Sequence, residues 1–501
     1  MIRGMTIDQG PIPTISRRLL LGATVASAFA LTQLSRAVAA VMPTVNQILG
    51  RPTRDSIAVS LLASQAGQYA IDYGYSKTKY ASTTTATNVA TAMPAVIDLR
   101  GLKPNSTVYY RVKYRPTSSS AWSYGKQQVF RTARNAGSTF SFTVQGDTHP
   151  ERVGKMFNSD LYFVTMANIA SQRPDFHILM GDDFSIDPII GKGQATAANV
   201  DKVYATHRNW LGVVGASVPI FLVNGNHEQA AQYLLDGTTT NPAVLAGASR
   251  VKYYPLPTND GFYNADRTVV DGVGELRDYY AWTWGDALFV TLDPYWHSKT
   301  AVDNVAGVSN DAAQTAKKSG GAGAKTTNLW QIGIGDEQYA WLTSVLEGSK
   351  AKYKFVFAHH VMGTGRGGVE VSTNYEWGGK DPKGQTTFAE QRPNWELPIH
   401  DLMVKHGVSI FFQGHDHIFV TQERDGVIYQ SMPNPADDTF SMFNADAYKT
   451  GVKAPNSGHV RVTVGPSGAK VEYFLAARPS DSSANRKNLQ LAHSYIVKPK
   501  A

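Results

Sequence analysis

Short apolar runs separated by turn residues recur along the first part of the chain, and they predict strands rather than helices. These short strand-like runs lie at 56–62, 68–75, 95–99, 108–114 and 128–132. Short strands at this regular spacing are typical of a β-sandwich. We therefore predict a small β-sandwich over residues 44–134, and we expect the polar segment 133–138 to link it to the rest of the chain.

After residue 139 the pattern changes to apolar runs that alternate with segments of helical periodicity. The apolar runs fall at 140–144, 176–180, 219–223, 354–358 and 408–412, and the helical segments at 160–171, 197–211, 336–346 and 395–405. Such alternation predicts a layered α/β domain whose strands are buried on both faces. We assign this larger domain to residues 139–478 and predict a polar tail at 479–501.

Three further segments complete the predicted architecture. Two β-rich stretches, 278–284 and 287–292, meet at a Gly-Asp turn and predict a hairpin. The irregular stretches 229–276 and 295–335 are longer than ordinary connections between elements. We therefore expect both of them to be lids or binding loops.

The first 40 residues have the features of an export signal. Arg17 and Arg18 precede an apolar run at 19–31, and a small-residue cleavage site follows at 37–39. The paired arginines resemble a twin-arginine signal. The 13-residue run is shorter than the about 20 residues of a transmembrane helix, so we expect no stable membrane anchor, the alternative being a retained one. We predict export by the twin-arginine machinery to the periplasm or the outside, with residues 1–40 removed as a signal peptide.

Composition and charge narrow the kinds of function. With 42% hydrophobic and 18% charged residues, the sequence is that of a folded globular protein. The formal net charge of +8 includes the basic signal peptide, and no cluster of Lys or Arg dominates the remainder, so we expect no specific nucleic-acid binding. The absence of cysteine excludes disulfides, thiolate metal sites and cysteine nucleophiles. Any metal must therefore bind to nitrogen and oxygen atoms.

Each of the five apolar runs of the larger domain is followed by Asp, Asn or His residues, which are the residue types that bind metals in proteins. The clusters are Gly146-Asp147-Thr148-His149, Gly181-Asp182-Asp183, Asn224-Gly225-Asn226-His227-Glu228, His359-His360 and Gly414-His415-Asp416-His417, with six of the 13 histidines. Ligands bind beyond the carboxyl ends of the strands in α/β sheets, so we expect the clusters to meet. Carboxylate, imidazole and amide groups suit divalent cations, and one carboxylate can bridge two metals about 3.5–4 Å apart. The sequence therefore predicts a metal centre at this edge.

The motifs GDTH, GDD, GNHE, HH and GHDH, in this order over residues 146–417, resemble the signature of calcineurin-like metallophosphoesterases. The segment 101–116 resembles the late strands of a fibronectin type III domain, although Val108 occupies the position of the usual corner tyrosine. Together with the hairpin sequence at 278–293, this layout resembles that of purple acid phosphatases. The resemblance implies a fibronectin-like β-sandwich followed by an α/β sandwich of two central sheets flanked by helices.

The resemblance also implies roles for individual residues. One metal would be bound by Asp147, His149 and His417 and the other by Asn226, His359 and His415, with Asp182 bridging the two. His359 is preferred over His360 because the family's ligand follows the strand directly. His227 would contact the phosphoryl group or protonate the leaving oxygen, and His360 and Arg366 are candidates for substrate binding, Arg366 being either a phosphate clamp or an exposed loop residue. Asp183 either supports the ligands or is a turn residue, and Glu228 and Asp416 either orient neighbouring histidines or are solvated loop carboxylates.

The function that this resemblance implies is hydrolysis of a phosphate monoester or diester. Two cations would make hydroxide available near neutral pH for in-line attack on phosphorus. Fe, Zn and Mn all suit the ligand set. Ser185 stands three residues after Asp182, where the purple enzymes have a metal-binding tyrosine, so we predict a colourless protein. The alternative is a metal-stabilised, non-catalytic binding protein of the cell envelope, against which the presence of His227 argues.

Overall fold

The computed structural model describes residues 41–228, 236–299, 302, 328–361, 366–381 and 383–500. The predicted signal peptide lies outside these residues, as do parts of both stretches predicted as lids or binding loops. Across the described part of the chain, no helix is at once long enough and apolar enough to cross a bilayer.

The N-terminal region is rich in strands, as predicted. Its described strands are β1 (Val45–Gly50), β2 (Ile57–Ala63), β3 (Gly67–Gly74), β4 (Ser82–Thr83), β5 (Thr87–Val89), β6 (Pro94–Leu99), β7 (Thr107–Arg115), β8 (Ser123–Tyr124) and β9 (Gln128–Arg131). One sheet has the order β1-β2-β6, and the second is centred on the paired strands β3 and β7. Buried Val108, Tyr110 and Val112 alternate along β7, so one face of this strand lies on the core. Four strands, β1, β4, β5 and β8, were not predicted, and the boundaries 44–134 and 139–478 stay predictions.

The N-terminal sheets pack directly against the region that follows. The buried Arg208 donates hydrogen bonds to the Ser60 carbonyl and to Asn46 Oδ1, both at 2.9 Å. The hydroxyl of Tyr110 donates to the carbonyl of Ala216 at 2.6 Å. Arg208 and Tyr110 therefore join the N-terminal sheets to the following region through hydrogen bonds.

The larger region contains two central sheets. Its described strands are β10 (Phe140–Gln145), β11 (Phe176–Leu179), β12 (Ile220–Leu222), β13 (Asn264–Ala265), β14 (Val269–Val270), β15 (Gly274–Glu275), β16 (Tyr280–Trp284), β17 (Ala287–Thr291), β18 (Tyr353–Phe357), β19 (Ile410–Gln413), β20 (Phe419–Arg424), β21 (Val427–Ser431), β22 (Val452–Ala454), β23 (Gly458–Gly465), β24 (Gly468–Leu475) and β25 (Leu491–Val497). The first sheet has the order β12-β11-β10-β23-β24-β25. The second has the order β13-β16-β17-β18-β19-β21-β20-β22, and β14 pairs with β15 separately.

An aromatic core lies between the two sheets. The ring of Phe142 meets that of Phe289 edge-on at 5.0 Å between centroids, and Phe357 stacks on Phe412 at 4.9 Å. Strands buried on both faces lose the alternation of polar and apolar residues, which explains the continuous apolar runs of the sequence. Truncation of one such ring to Ala costs about 3–5 kcal/mol.

Helices cover the outer faces of both sheets, which confirms the predicted fold class. The described α-helices are α1 (Ser159–Gln172), α2 (Asp187–Ile190), α3 (Ala197–Gly215), α4 (Pro242–Tyr253), α5 (Gly335–Gly348), α6 (Tyr375–Gly378), α7 (Phe388–Gln391) and α8 (Ile399–Lys405). Helices α1, α3 and α4 pack on the six-stranded sheet, and α5 and α8 pack on the eight-stranded sheet. Helix α1 begins after Asn158, whose side chain accepts hydrogen bonds from two backbone N–H groups of the first turn.

Three predicted segments differ in the structure. The helix expected at 395–405 begins only at Ile399, because Pro398 precedes it and disfavours helical backbone at its own N-terminal side. The described part of the stretch 229–276 is not irregular, since it contains α4 and β13 to β15. The polar tail includes β25, whose backbone pairs with β24 although most of its side chains are exposed. Strand pairing uses backbone groups, so a polar sequence does not prevent it.

Parallel pairing brings the predicted clusters to one edge. Strands β10, β11 and β12 are mutually parallel, and so are β17, β18 and β19 in the other sheet. The carboxyl ends of parallel strands lie on the same side of a sheet. The loops that follow them therefore face one another there.

Candidate metal centre

The polar clusters that follow β10, β11, β12, β18 and β19 meet in one buried centre. Four overlapping groups have ligand atoms within 4.8 Å of one another: Asp147–His149–His417, Asp147–Asp182–His359, His149–Asp182–His227 and His359–His360–His415. Asn226 joins them, because its Oδ1 lies 3.1 Å from Nδ1 of His415. The structure thus brings together all the residues predicted as metal ligands.

Asp147 connects the loop after β10 to the loop after β19. Its Oδ2 lies 2.9 Å from Nε2 of His417, and both of its carboxylate oxygens accept the backbone N–H of His415 at 2.9 Å. The side chain of His149 completes this part of the centre, with its Nε2 3.2 Å from that of His417.

Asp182 lies in the middle of the centre. Its Oδ2 is 3.1 Å from Nε2 of His359 and 3.6 Å from Nε2 of His149. These two histidines come from different sheets, and His227 approaches the same oxygen at 3.9 Å from a third loop. A carboxylate in this position can contact cations on both sides.

The backbone of the centre adopts left-handed conformations at non-glycine residues. Positive φ angles occur at His149 (49°), Asp182 (59°), His415 (66°) and His417 (54°). Each costs about 1–2 kcal/mol relative to ordinary backbone, so the surrounding structure must hold it. The close approach of the loops contributes to this, because a Cβ at Gly181 would collide with the backbone of the loop after β12.

Several imidazole nitrogens of the centre fit the binding of cations. Nδ1 of His359 donates to the carbonyl of Met180 at 2.7 Å, which turns its Nε2 towards the carboxylates. That Nε2 contacts Oδ2 of Asp182, and within the described residues Nε2 of His415 is buried and makes no hydrogen bond. Buried polar atoms without partners are costly, and coordination would satisfy them. The donor set of imidazole, carboxylate and amide oxygen matches the nitrogen- and oxygen-only chemistry that the sequence requires.

Burial and charge set the protonation of the centre. Burial lowers the pKa of His149 and of His360 to about 3, so both imidazoles are neutral, which is the form in which an imidazole can bind a metal. Burial opposes the ionisation of Asp182, but His359 and His227 hold its pKa well below the usual range. Burial also disfavours the charged form of His227, whereas Asp182 and Asp187 raise its pKa to about 9.

Two acidic residues next to the ligands hold the loops rather than the histidines. The carboxylate of Glu228 accepts backbone N–H groups of Asp182 at 2.8 Å and of Gly225 at 2.6 Å, and it thereby joins two ligand loops. Asp183 is buried and accepts a hydrogen bond from the hydroxyl of Thr148 at 2.7 Å. Neither carboxylate is a solvated loop residue.

Arg366 and Asp416 pair with each other. Nη1 of Arg366 donates to Oδ1 of Asp416 at 3.1 Å and to the carbonyl of His415 at 2.7 Å. The hydroxyl of Tyr448 donates to the other carboxylate oxygen at 2.6 Å. The side chain of Arg366 is therefore held by the loop after β19, and 33% of it is exposed to solvent.

Four residues that were not predicted contact the histidines of the centre. Glu151 lies 2.8 Å from Nδ1 of His149, and Tyr295 lies 3.0 Å from Nδ1 of His360. Asp187 holds Nδ1 of His227, while Arg152 lies 3.2 Å from Nε2 of the same ring. Glu151 and Arg152 follow the first cluster after Pro150 and could have been suspected, whereas Asp187 and Tyr295 lie in none of the motifs.

A further His/Asp group involves none of these clusters. This Asp–His trio comprises Asp266, Asp278 and His297, with ligand atoms within 4.8 Å of one another. Nε2 of His297 lies 3.1 Å from Asp278 and 3.8 Å from Asp266. Burial lowers the pKa of His297, but the carboxylates, Asp278 foremost, raise it to about 9.

Comparisons with known proteins agree with this geometry. The family described as calcineurin-like phosphoesterase matches residues 140–419, more than half of the chain. A structure of PhoD superimposes with a TM-score of 0.61 at 14% identity and covers 91% of this chain and 90% of its own. The purple acid phosphatase PPD1 from seeds of yellow lupin (Lupinus luteus) gives a TM-score of 0.58 at 15% identity, with 91% of this chain and 74% of its own covered. At these identities the likeness is one of fold, and a search of curated protein sequences gave no significant match.

Proposed function

This chain belongs to the calcineurin-like phosphoesterase family and is a metal-dependent phosphoester hydrolase, and we propose that it is an exported enzyme with a binuclear centre that cleaves phosphate mono- or diesters. The observation that carries this proposal is the position of Asp182, whose one carboxylate oxygen lies 3.1 Å from His359 and 3.6 Å from His149. Ligands on both sides of a shared carboxylate are what two neighbouring cations require.

We assign two sets of ligands that share Asp182. The first set is Asp147, His149 and His417, and the second is Asn226, His359 and His415. The hydrogen bond from His359 to Met180 supports His359 over His360, because it fixes the ring with Nε2 towards Asp182. His360 contacts Tyr295 instead, and we assign it to the substrate side of the centre.

Two bound cations would polarise the phosphoryl oxygens and make hydroxide available near neutral pH. Side chains of the protein then protonate the leaving group. When the phosphorus–oxygen ester bond breaks and the oxygen of water takes its place on phosphorus, the departing oxygen needs a proton. His227 supplies it from Nε2, because Nδ1 is held by Asp187 and the ring faces Asp182. In this structure a guanidinium N–H of Arg152 donates to the same nitrogen, and we propose that it turns to an oxygen of the phosphoryl group when substrate binds, which leaves Nε2 free to carry the proton.

The identity of the metals follows only in part from the ligands. Nitrogen and oxygen donors without cysteine are compatible with Fe, Zn or Mn. Ser185 stands three residues after Asp182, at the position where the purple enzymes carry a metal-binding tyrosine. Its buried hydroxyl has no hydrogen-bond partner among the described residues. We therefore propose a colourless enzyme, which an absorption spectrum of the metal-loaded protein checks directly.

The proposal also covers the cellular location of the enzyme and the role of its N-terminal strands. We propose that the paired arginines at 17–18 direct twin-arginine export and that the mature enzyme is periplasmic or secreted. We also propose that the N-terminal strands form a fibronectin-like sandwich that supports the catalytic region, since Arg208 and Tyr110 join the two through buried hydrogen bonds.

The alternative function is a metal-stabilised binding protein without catalysis. His227 argues against it, because the residue has a dedicated carboxylate partner in Asp187 and a cationic neighbour in Arg152. A binding protein would not need an oriented histidine that does not bind the metal.

Hydrolysis of para-nitrophenyl phosphate and bis-para-nitrophenyl phosphate tests the proposal. The chain from residue 41 onward is assayed with added Mn or Zn and after chelation. We expect turnover that chelation abolishes, and the ratio of the two rates distinguishes a monoesterase from a diesterase. Two bound metals without turnover of either ester would instead support the binding protein.

A further inference from the structure

The loop after β17 reaches the metal centre although it contains none of the predicted clusters. Strand β17 runs parallel to its neighbour β18, so its carboxyl end lies at the same edge of the sheet as His359. Asp293 follows β17 by two residues and is fully buried. Gln338 of α5 fixes its backbone, because the side-chain carbonyl of Gln338 accepts the N–H of Asp293 at 2.9 Å and the amino group donates to its carbonyl at 2.6 Å. The carboxylate therefore has a defined position beside the centre.

One oxygen of this carboxylate holds a loop that carries a metal ligand. Oδ2 of Asp293 accepts a hydrogen bond from Nδ2 of Asn224 at 2.5 Å. Asn224 is buried and stands two residues before Asn226, which we assign as a ligand of the second cation. Strand β12, which precedes Asn224, belongs to the six-stranded sheet, whereas β17 belongs to the eight-stranded sheet. The contact therefore fixes the loop of Asn226 relative to the ligands that follow the other sheet.

The other oxygen holds the substrate side of the centre. Oδ1 of Asp293 accepts the backbone N–H of Tyr295 at 2.6 Å, an Asx turn that directs the chain after β17. The hydroxyl of Tyr295 lies 3.0 Å from Nδ1 of His360. With the hydroxyl as donor, Nε2 of the neutral ring carries the hydrogen and can donate it to a phosphoryl oxygen. Asp293 thus acts on the orientation of His360 through Tyr295.

The two contacts together require both oxygens of a carboxylate. Among the described residues, the side chain of Asp293 accepts only these two hydrogen bonds and forms no ion pair. A buried carboxylate without a cationic partner is costly, so stability of the fold alone does not explain its presence. An asparagine offers a single acceptor oxygen and could keep only one of the two contacts.

We propose that Asp293 is a positioning residue for phosphoester hydrolysis, which sets the metal ligand Asn226 and the substrate-side His360 in register with each other. This inference rests on the proposed function, because it concerns the same centre. Asn224 and Tyr295 transmit the position of the carboxylate, one to each side of the centre. Loss of the carboxylate should therefore weaken the binding of the cation and of the ester together.

Asp293→Ala tests the proposal, and two further variants separate its two contacts. We expect the Kd of the more weakly bound Zn to rise about threefold to tenfold, the effect of one lost hydrogen bond. Competition with a chromogenic chelator in the absence of ester measures it. The KM for para-nitrophenyl phosphate at saturating Zn should rise by a similar factor. Asn224→Ala should reproduce only the rise in Kd, and Tyr295→Phe only the rise in KM.

Asp286→Ala is the matched control. Asp286 precedes the same strand at its other end, and its carboxylate likewise accepts one backbone N–H, from Gly137 at 2.9 Å, and one side-chain donor, from Lys352 at 2.9 Å. Its loss should lower the melting temperature, as the loss of Asp293 does. Both Kd and KM should stay within about twofold of the wild type.

The outcomes separate this inference from the proposed function. Values of Kd and KM in Asp293→Ala that match those of Asp286→Ala would make Asp293 a structural residue and overturn the proposal. If Asp293→Ala does not fold, an unchanged Kd in Asn224→Ala or an unchanged KM in Tyr295→Phe overturns it. A wild type that binds Zn but hydrolyses no ester would overturn the proposed function, and the Kd of Asn224→Ala would still test the contact to the ligand loop.

Discussion

Two buried groups of His and Asp residues lie in the described part of the larger region, and they differ in their ratio of imidazole to carboxylate groups. The metal centre contains six histidines around Asp147 and Asp182, whereas the Asp–His trio has the single His297 between Asp266 and Asp278. One protonated imidazole offsets carboxylate charge in the trio. Six neighbouring imidazoles cannot all be protonated, because like charges repel in a buried site. The excess of imidazole over carboxylate is therefore what marks a place for cations.

The backbone differs between the two groups as well. Four residues of the metal centre have left-handed backbone, and its loops approach so closely that Gly181 and Gly225 leave no room for a Cβ. None of the three residues of the trio has a positive φ. Backbone strain is thus concentrated where side chains must converge on a common point, which is a usual property of functional sites.

Replacement of the shared carboxylate should have the largest effect. Asp182→Asn removes the charge that both proposed cations contact, so we expect at least about a thousandfold loss of kcat and loss of bound metal. Activity assays with metal analysis by mass spectrometry measure both. The neighbouring Asp183→Asn serves as control and should retain metal, since among the described residues the side chain of Asp183 accepts hydrogen bonds only from Thr148 and Gln145. A metal content unchanged in Asp182→Asn would contradict the shared-ligand role.

His227→Ala should separate catalysis from metal binding within the centre. The variant keeps every proposed ligand, so its metal content should match the wild type. We expect kcat to fall by about 10²–10⁴-fold for an alkyl ester, whose leaving oxygen needs a proton, and by less for a nitrophenyl ester. Full activity of the variant on the alkyl ester would exclude the proton-donor role.

Disruption of the trio should instead lower stability. The pKa of His297 is raised from 6.5 to about 9, so its stabilising contribution is complete below pH 6.5 and is lost as pH rises through about 9. At pH 6, His297→Gln should lower the free energy of unfolding by on the order of 3 kcal/mol, and the difference should shrink towards pH 9.5.

Urea denaturation at both pH values, with metal analysis of the same samples, checks this prediction. The metal content of His297→Gln should equal that of the wild type. Loss of one metal from this variant would mean that the trio binds a cation, and the comparison of the two groups would then fail.

Arg366→Ala should have the smallest effect. Its guanidinium already pairs with Asp416 and the His415 carbonyl, so we expect a rise in KM of about threefold to tenfold with little change in kcat if a remaining N–H group contacts phosphate. Arg366→Lys, which keeps the charge without the planar fork, separates charge from geometry. An unchanged KM in both variants would assign Arg366 to loop support alone.

The sequence by itself determined the fold class and the members of the centre. Apolar runs that end in clusters such as GDTH and GHDH predict both a buried strand and the loop at its end, because local periodicity and chain order suffice for each. The prediction was weakest in β25, where pairing of the backbone overrides a polar composition. The start of α8 was misplaced for a local reason instead, because Pro398 disfavours helical backbone before it.

Only the tertiary structure decided which groups support that centre. Asp187 reaches His227 from 40 residues away, and Tyr295 reaches His360 from 65 residues away. Neither lies in a motif, because such contacts depend on how loops from different strands pack rather than on local sequence.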